Sequence, residues 1–310
     1  MDQVFLDCGG VEIKTPRRPP YRPPLRRLLL EIETRSECRS RYTEPSPGSI
    51  GQTQRAACLV LPAAVQADLE RFNAHHPEIN VLLASQDLIR NMDVGPQGEV
   101  SMPAPAGGRV VVTPPDLSDP NKIDEAIAHM WDNVYVPNPS DQLRDEIQLQ
   151  AVDLELWMVA ALTEMSTQDH SHTLDLLDAL SMALGWPIFL TKYQLNVRRP
   201  DTRLPAGVEP WLTTPPHASF PSGHACIAQA VAVVLADLTG YRGSLLQEQA
   251  TRIARNREVA GVHTALDSDF GGRLGTLLGQ YAIDAAVRDA ERNPRWAMLY
   301  ARAAAEWVEP

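Results

Sequence analysis

The 310-residue chain has no run of about eighteen uninterrupted apolar residues, the length a helix needs to cross a bilayer. Its best candidate, Ala225 to Leu238, is interrupted by Gln229 and Asp237, so no transmembrane helix is expected. The start of the chain, Met1 to Cys8, lacks a basic stretch followed by a hydrophobic run, and no secretory signal is visible. Cysteine is scarce. Cys8, Cys38, Cys58 and Cys226 show no metal-ligand spacing, which points to free thiols in a cytoplasmic protein rather than to a disulfide framework. Positive charge is in deficit: the formal net charge is −11, which argues against a broad nucleic-acid-binding surface. No internal repeat is present, which sets repeat architectures aside.

What the chain does have is a change of character along its length. Residues 1–56 are rich in Pro, Arg and Ser, and the run from Pro16 to Arg27 favours extended polyproline conformations. This reads as an arm wrapping a core. Leu61 to Phe72 fits an amphipathic helix, Ile79 to Leu83 a short strand-like run, and Arg109 to Val112 a strand. From Asp119 onward the pattern is helical. Asp119-Pro120 is a cap followed by a first-turn proline, opening a helix to about Trp131. Leu143 to Met165 reads as a long helix with Val152, Leu156, Val159 and Ala160 on its core face, and with Trp157 and Met158 as core residues. A helix from His172 to Leu184 should end at Gly185, with His170 and His172 on the surface at its start. Pro187 should open a separate short helix carrying Lys192. Further helices are expected after His224, from about Leu245 to Ala260, from Asp267 to Glu291 and from Arg295 to Trp307. The expected fold is mainly α: a helical bundle over residues 119–310, with residues 1–118 forming the arm and a small irregular or α/β appendage.

Three blocks in the C-terminal half carry chemistry. They are Lys192-(x6)-Arg199-Pro200, then Pro221-Ser222-Gly223-His224, then Arg257-(x5)-His263-(x3)-Asp267. Three cations would meet two histidines and a carboxylate, a set suited to a tetrahedral oxyanion of about two negative charges. Lys192 and Arg199 are seven apart and would share one helix face, leaving Arg198 as a solvated charge. Ser222 is a candidate N-cap, and the first N–H groups of its helix, at Gly223 and His224, would face an anion. Gly261 should break the helix between Arg257 and His263. Asp267 is placed to accept the other ring N–H of His263.

The ordered set resembles the type 2 phosphatidic-acid phosphatase superfamily, which includes acid phosphatases, lipid phosphate phosphatases and vanadium-dependent haloperoxidases. The resemblance covers roughly residues 140–290, and the lack of an apolar span implies a soluble member. It implies that the residue matching His263 is a nucleophile that forms a phosphohistidine, oriented by Asp267. His224 would be the acid and later the base. Lys192, Arg199, Ser222, Gly223 and Arg257 would hold the phosphate oxygens, with no metal or other cofactor needed. In the haloperoxidase branch the same residues hold vanadate, His263 coordinates vanadium, and the partners are hydrogen peroxide and halide. His217, seven residues before His224, matches a histidine of vanadium bromoperoxidases, so halide tuning is a candidate role beside that of a plain loop residue. The chain departs from the family at Asn256, where serine is common, and at Thr264-Ala265-Leu266. The first expectation is a phosphomonoester or diphosphate hydrolase acting on a small phosphorylated molecule. A vanadium haloperoxidase comes second, and a non-hydrolytic diphosphate-binding or prenyl-diphosphate-processing protein third. A homo-oligomer is left open.

Overall fold

The computed structural model describes residues 77–104, 106–152, 154, 158, 170–208, 211–240 and 243–307, all within a unit that spans Leu61–Pro310. The expectations for residues 1–56, for Leu61 to Phe72, for Leu156, Trp157, Val159 and Ala160, and for Cys8, Cys38 and Cys58 lie outside the described residues.

In chain order the elements are α1 (Pro77–Ile89), β1 (Asp93–Val94), β2 (Val100–Pro103), β3 (Arg109–Val112), α2 (Pro120–Asn133), α3 (Asp141–Val152) and α4 (Ser171–Leu195). A 3-10 turn (Pro200–Arg203) follows, then α5 (Gly223–Thr239), α6 (Gly243–Val259), α7 (Ala265–Val287) and α8 (Pro294–Ala305). The architecture is mainly helical. The strands form one small antiparallel sheet in the order β1-β2-β3, with Val94 opposite Val100 and Val100 opposite Val112. Val100, Met102 and Val112 enter the same apolar core as α1, α4, α5, α7 and α8. Thr191 Oγ1 donates to the Gly98 carbonyl at 3.2 Å, fastening the β1–β2 turn to α4 next to Lys192.

Several sequence expectations change here. Ile79 to Leu83 is part of helix α1, not a strand. Its buried residues Val81, Ala84 and Leu88 recur at helical spacing, a period that five residues are too few to show. The break expected at Gly185 and Pro187 is absent: α4 runs unbroken from Ser171 to Leu195 with Pro187 inside it. An interior proline costs about 3 kcal/mol. Leu176, Leu180, Leu184 and Ile188 are buried on both sides of it, each stabilising by about 1.5–3 kcal/mol, so packing outweighs propensity. Among the described residues this same helix, rather than Ala225 to Leu238, is the one apolar enough by length and composition to cross a membrane; just over half of its most apolar part is buried within the bundle. Val152 is not on a core face: it is 86% exposed, while Met158 is fully buried. The inner face of α3 is instead partly polar, with Glu146, Ile147 and Gln150 buried.

Two starts follow the expected chemistry. Asp119 caps α2, accepting from the Asn121 N–H at 2.9 Å with Pro120 in the first turn. Ser222 caps α5, its Oγ accepting from the Ala225 N–H at 3.4 Å. The helices α5 and α7 pack closely because α7 presents glycine every fourth residue to α5. A Cβ on Gly275 would lie 2.1 Å from the Cys226 carbonyl oxygen, and one on Gly271 would lie 2.6 Å from that of Ser222. This contact brings the first turns of α5 and α7 together, and there the Ser222 N–H donates to the Asp267 carbonyl at 3.0 Å.

Candidate active site

One end of the bundle gathers the C-terminal turns of α4 and α6 and the N-terminal turns of α5 and α7. Lys192 and Arg257 stand in the last turns of α4 and α6, where the helix dipole favours cations. Ser222, Gly223, His224 and Asp267 stand at the starts of α5 and α7, where free N–H groups favour anions.

Lys192 and Arg199 arrive by a route the spacing did not foresee. They do not share a helix face. Asn196 takes a left-handed conformation at φ 44° and stops α4 after Leu195. Arg199 is extended, with φ −80° and ψ 156°. Arg198 is not a free surface charge either: it pairs with Asp124, which Arg203 also engages at 2.5 Å.

The two basic groups share the segment that precedes α5. Lys192 Nζ donates to the carbonyls of Ala218 at 3.0 Å, Ser219 at 2.6 Å and Pro221 at 2.6 Å. An ammonium has three N–H groups, so in this arrangement all of them are committed to the backbone, and Lys192 offers an anion its charge. Burial, with Arg199 nearby, pushes its pKa down to about 7. Arg199 donates from Nε to the His217 carbonyl at 2.8 Å and from Nη1 to the Val262 carbonyl at 3.0 Å, and its Nη2 lies 3.1 Å from His217 Nδ1. His217 therefore belongs to the setting of Arg199. Burial, then the Lys192 and Arg199 charges, hold its ring neutral with a pKa of about 4.

Gly261, at φ +75°, turns the chain after α6, and a Cβ there would press on the Trp131 ring at 2.9 Å. The turn delivers His263 into the interior, where both it and Asp267 are buried. His263 Nδ1 lies 3.3 Å from Asp267 Oδ2 and 3.3 Å from Ser219 Oγ. Ser219 Oγ donates to Asp267 Oδ2 at 2.7 Å, as does the Thr264 N–H at 2.8 Å. Burial would raise the Asp267 carboxyl, but His263, Thr264 and Ser219 together hold it below the ordinary range. It is therefore an anion and can only accept, so His263 carries its proton on Nδ1 and leaves Nε2 bare. Burial, outweighing Asp267, keeps the ring neutral with a pKa of about 3.

Arg257 and His224 form the other side. Arg257 is buried, donates from Nη2 to the Ile147 carbonyl at 2.7 Å, and has a buried Nε with no hydrogen-bond partner. Burial pushes its pKa down to about 10. The partly buried His224 is hydrogen-bonded to the Ala151 backbone. Desolvation, then the Arg257 charge, His263 and Lys192, hold its pKa well below the usual imidazole range. Gly223 begins α5 beside it, with room for close approach: a Cβ there would meet only Ile188, at 3.7 Å.

Among the described residues, Lys192, Arg199, Arg257 and Asp267 are thus buried together with neutral imidazoles, three cations against one buried carboxylate, with the less buried Asp201 also acting on Arg199. Burying an excess of two positive charges is strongly unfavourable unless a counter-charge arrives. Such an arrangement is chemically suited to a compact dianion. Ser219 was not among the sequence-derived candidates, although it lies in the motif segment, three residues before Ser222. Neither were the carbonyls of Ile147 and Ala151, for backbone acceptors leave no mark on residue type.

The chain matches no protein-family model and no curated protein. Among solved structures it is similar to one described as the crystal structure of the first bacterial vanadium-dependent iodoperoxidase, at 17% identity and a TM-score of 0.43, over 55% of this chain and 51% of that one. The chain spans about half the length of that protein, and a likeness at this level carries no argument about the site.

Proposed function

We propose that the protein is a metal-independent phosphoester hydrolase that works through a phosphohistidine on His263. One observation supports this reading above others: an excess of two buried positive charges surrounds a neutral imidazole whose Nε2 is bare and whose Nδ1–H faces Asp267. Anion binding alone would need the cations and N–H donors; it would not need a nucleophile with a fixed tautomer. Phosphoryl transfer depends on positioning and on neutralising the equatorial oxygens, and Arg199, Arg257, the Lys192 charge and the Gly223 N–H are suited to that.

In the proposed cycle the His263 Nε2 lone pair attacks phosphorus and the bond to the leaving oxygen breaks. A phosphate monoester monoanion brings its own proton, which His224 passes to the leaving alkoxide. Burial, and after it the Arg257 charge, His263 and Lys192, keep His224 neutral; a bound anion offsets the Arg257 and Lys192 charges and so favours the protonated acid when substrate is present. Water then attacks the phosphohistidine as the P–Nε2 bond breaks; His224 takes its proton and returns it to the departing phosphate, which restores His263 and the neutral His224.

The same buried charges admit vanadate, which has the shape and charge of phosphate, and this keeps a haloperoxidase as the second reading. His263 Nε2 would be the ligand, with Lys192, Arg199 and Arg257 around the oxygens. Bound there, vanadate would supply Lewis-acid activation of hydrogen peroxide toward halide, and on this reading His217, beside Arg199, would be the residue to tune it.

Hydrolysis of a generic aryl phosphate in chelator, inhibited by vanadate, is the expected result. Bromide oxidation by peroxide after vanadate loading, with no aryl phosphate turnover, would reverse the order of the two readings. Failure of both would remove the enzymatic reading.

A further inference from the structure

Asn256 departs from the family pattern, and its surroundings give it a task. Its side-chain amide uses both hydrogens on α3, donating to Glu146 Oε1 at 2.8 Å and to Gln150 Oε1 at 2.9 Å. Gln150 Nε2 donates to Glu146 Oε1 at 3.0 Å. Arg252 clamps the same carboxylate with Nε and Nη2, each at 2.5 Å. Glu146, Gln150 and Asn256 are all buried. The α3 backbone beside this cluster reaches the candidate site twice: the Ile147 carbonyl accepts from Arg257, and the Ala151 backbone is bonded to His224. Ile147 and Ala151 are one helical turn apart, so their carbonyls line up on one side of α3. Ile147 packs against Ala260 and Val262, with Leu143, Trp211 and Leu212 around them; the polar cluster adds a directional tie that this apolar seat does not supply.

We propose that Asn256 is a positioning residue: by tying Glu146 and Gln150 it fixes α3 so that the Ile147 and Ala151 carbonyls aim Arg257 and His224 at a bound anion. The inference rests on the anion-site reading. It accounts for the side-chain type, because serine in that position offers one donor and cannot hold both acceptors. A buried polar network of this kind is effective only when every member is satisfied.

The test uses the full chain with inorganic vanadate as the probe, together with 15N-histidine labelling. N256D removes both donors and sets a carboxylate against Glu146. It should weaken vanadate binding by ~10- to 100-fold and move the ring nitrogen resonances of His224. N256D/E146Q lets the new amide donate to the new carboxylate, and it should restore affinity to within about threefold of the parent. If N256D does not fold, N256S, which keeps one donor, should show both changes at smaller amplitude. Parental affinity with unmoved His224 resonances in these variants would overturn the proposal, as would a double variant no better than N256D. An absence of vanadate binding by the parent would overturn the anion-site reading, while the His224 resonances would still report whether Asn256 positions α3.

Discussion

The two sides of the candidate site are built differently. On the α4 side, the donors of Lys192 are taken up by the carbonyls of Ala218, Ser219 and Pro221, and Arg199 gives Nε to the His217 carbonyl and Nη1 to that of Val262. On the α6 side, Arg257 is held by the Ile147 carbonyl and keeps a buried Nε unpaired. The first side is a frame, in which cations organise the segment leading into α5. The second keeps donors in reserve, and a ligand would be gripped there. Cations that look equivalent in a motif therefore differ: Lys192 commits its donors to the protein, Arg199 commits part of its own, and Arg257 keeps the most for a ligand.

The contrast can be broken most sharply at the reacting group. H263A should abolish turnover, a loss of at least ~10³-fold in aryl phosphate assays, and full activity in that variant would end the proposed mechanism. R257M should cost ~10²- to 10³-fold in activity while stability stays level or rises, because an unbalanced buried charge is removed. K192M should do the reverse in emphasis. It leaves three buried carbonyls without their donor and should destabilise the fold by about 2–4 kcal/mol in denaturant titration. Equal stability losses in the two variants would erase the distinction between frame and grip.

A smaller effect comes from pH. The Lys192 pKa is about 7 in the fold against 10.5 as its ordinary value. The unfolded chain therefore binds more protons across that interval, and this residue's contribution makes the fold more stable as pH rises from about 7 toward 10.5. Anion affinity should move the opposite way, weakening as Lys192 loses its charge above about pH 7. K192M should flatten both trends. G275A tests the helix contact beneath the site. A Cβ 2.1 Å from the Cys226 carbonyl should cost about 1–3 kcal/mol and loosen the contact between the starts of α5 and α7.

Much of this was written locally in the sequence. Asp119-Pro120, Ser222 and Gly261 each mark a helix boundary through their own backbone chemistry, and the structure uses them at those positions. The candidate residues could be listed because each block is short and ordered. What was not legible depends on partners distant in sequence. Pro187 reads as a stop, yet the buried leucines before it and Ile188 after it carry α4 through. Lys192 and Arg199 suggest one helix face, yet Asn196 ends the helix between them and an extended segment brings Arg199 round. Val152 fits an apolar helical stripe, yet α3 turns Glu146 and Gln150 inward because Asn256 and Arg252 await them. The same distance effect hid Ser219, whose importance lies in a contact with Asp267, 48 residues on.

The most direct measurement is a calorimetric titration of the full chain with inorganic vanadate near pH 6, repeated with R257M. Saturable binding of one anion per chain, weakened at least ~10-fold in R257M, is the predicted result. No saturable binding, or equal affinity in the two proteins, would contradict the claim that the buried excess of positive charge is a receptor for a tetrahedral anion.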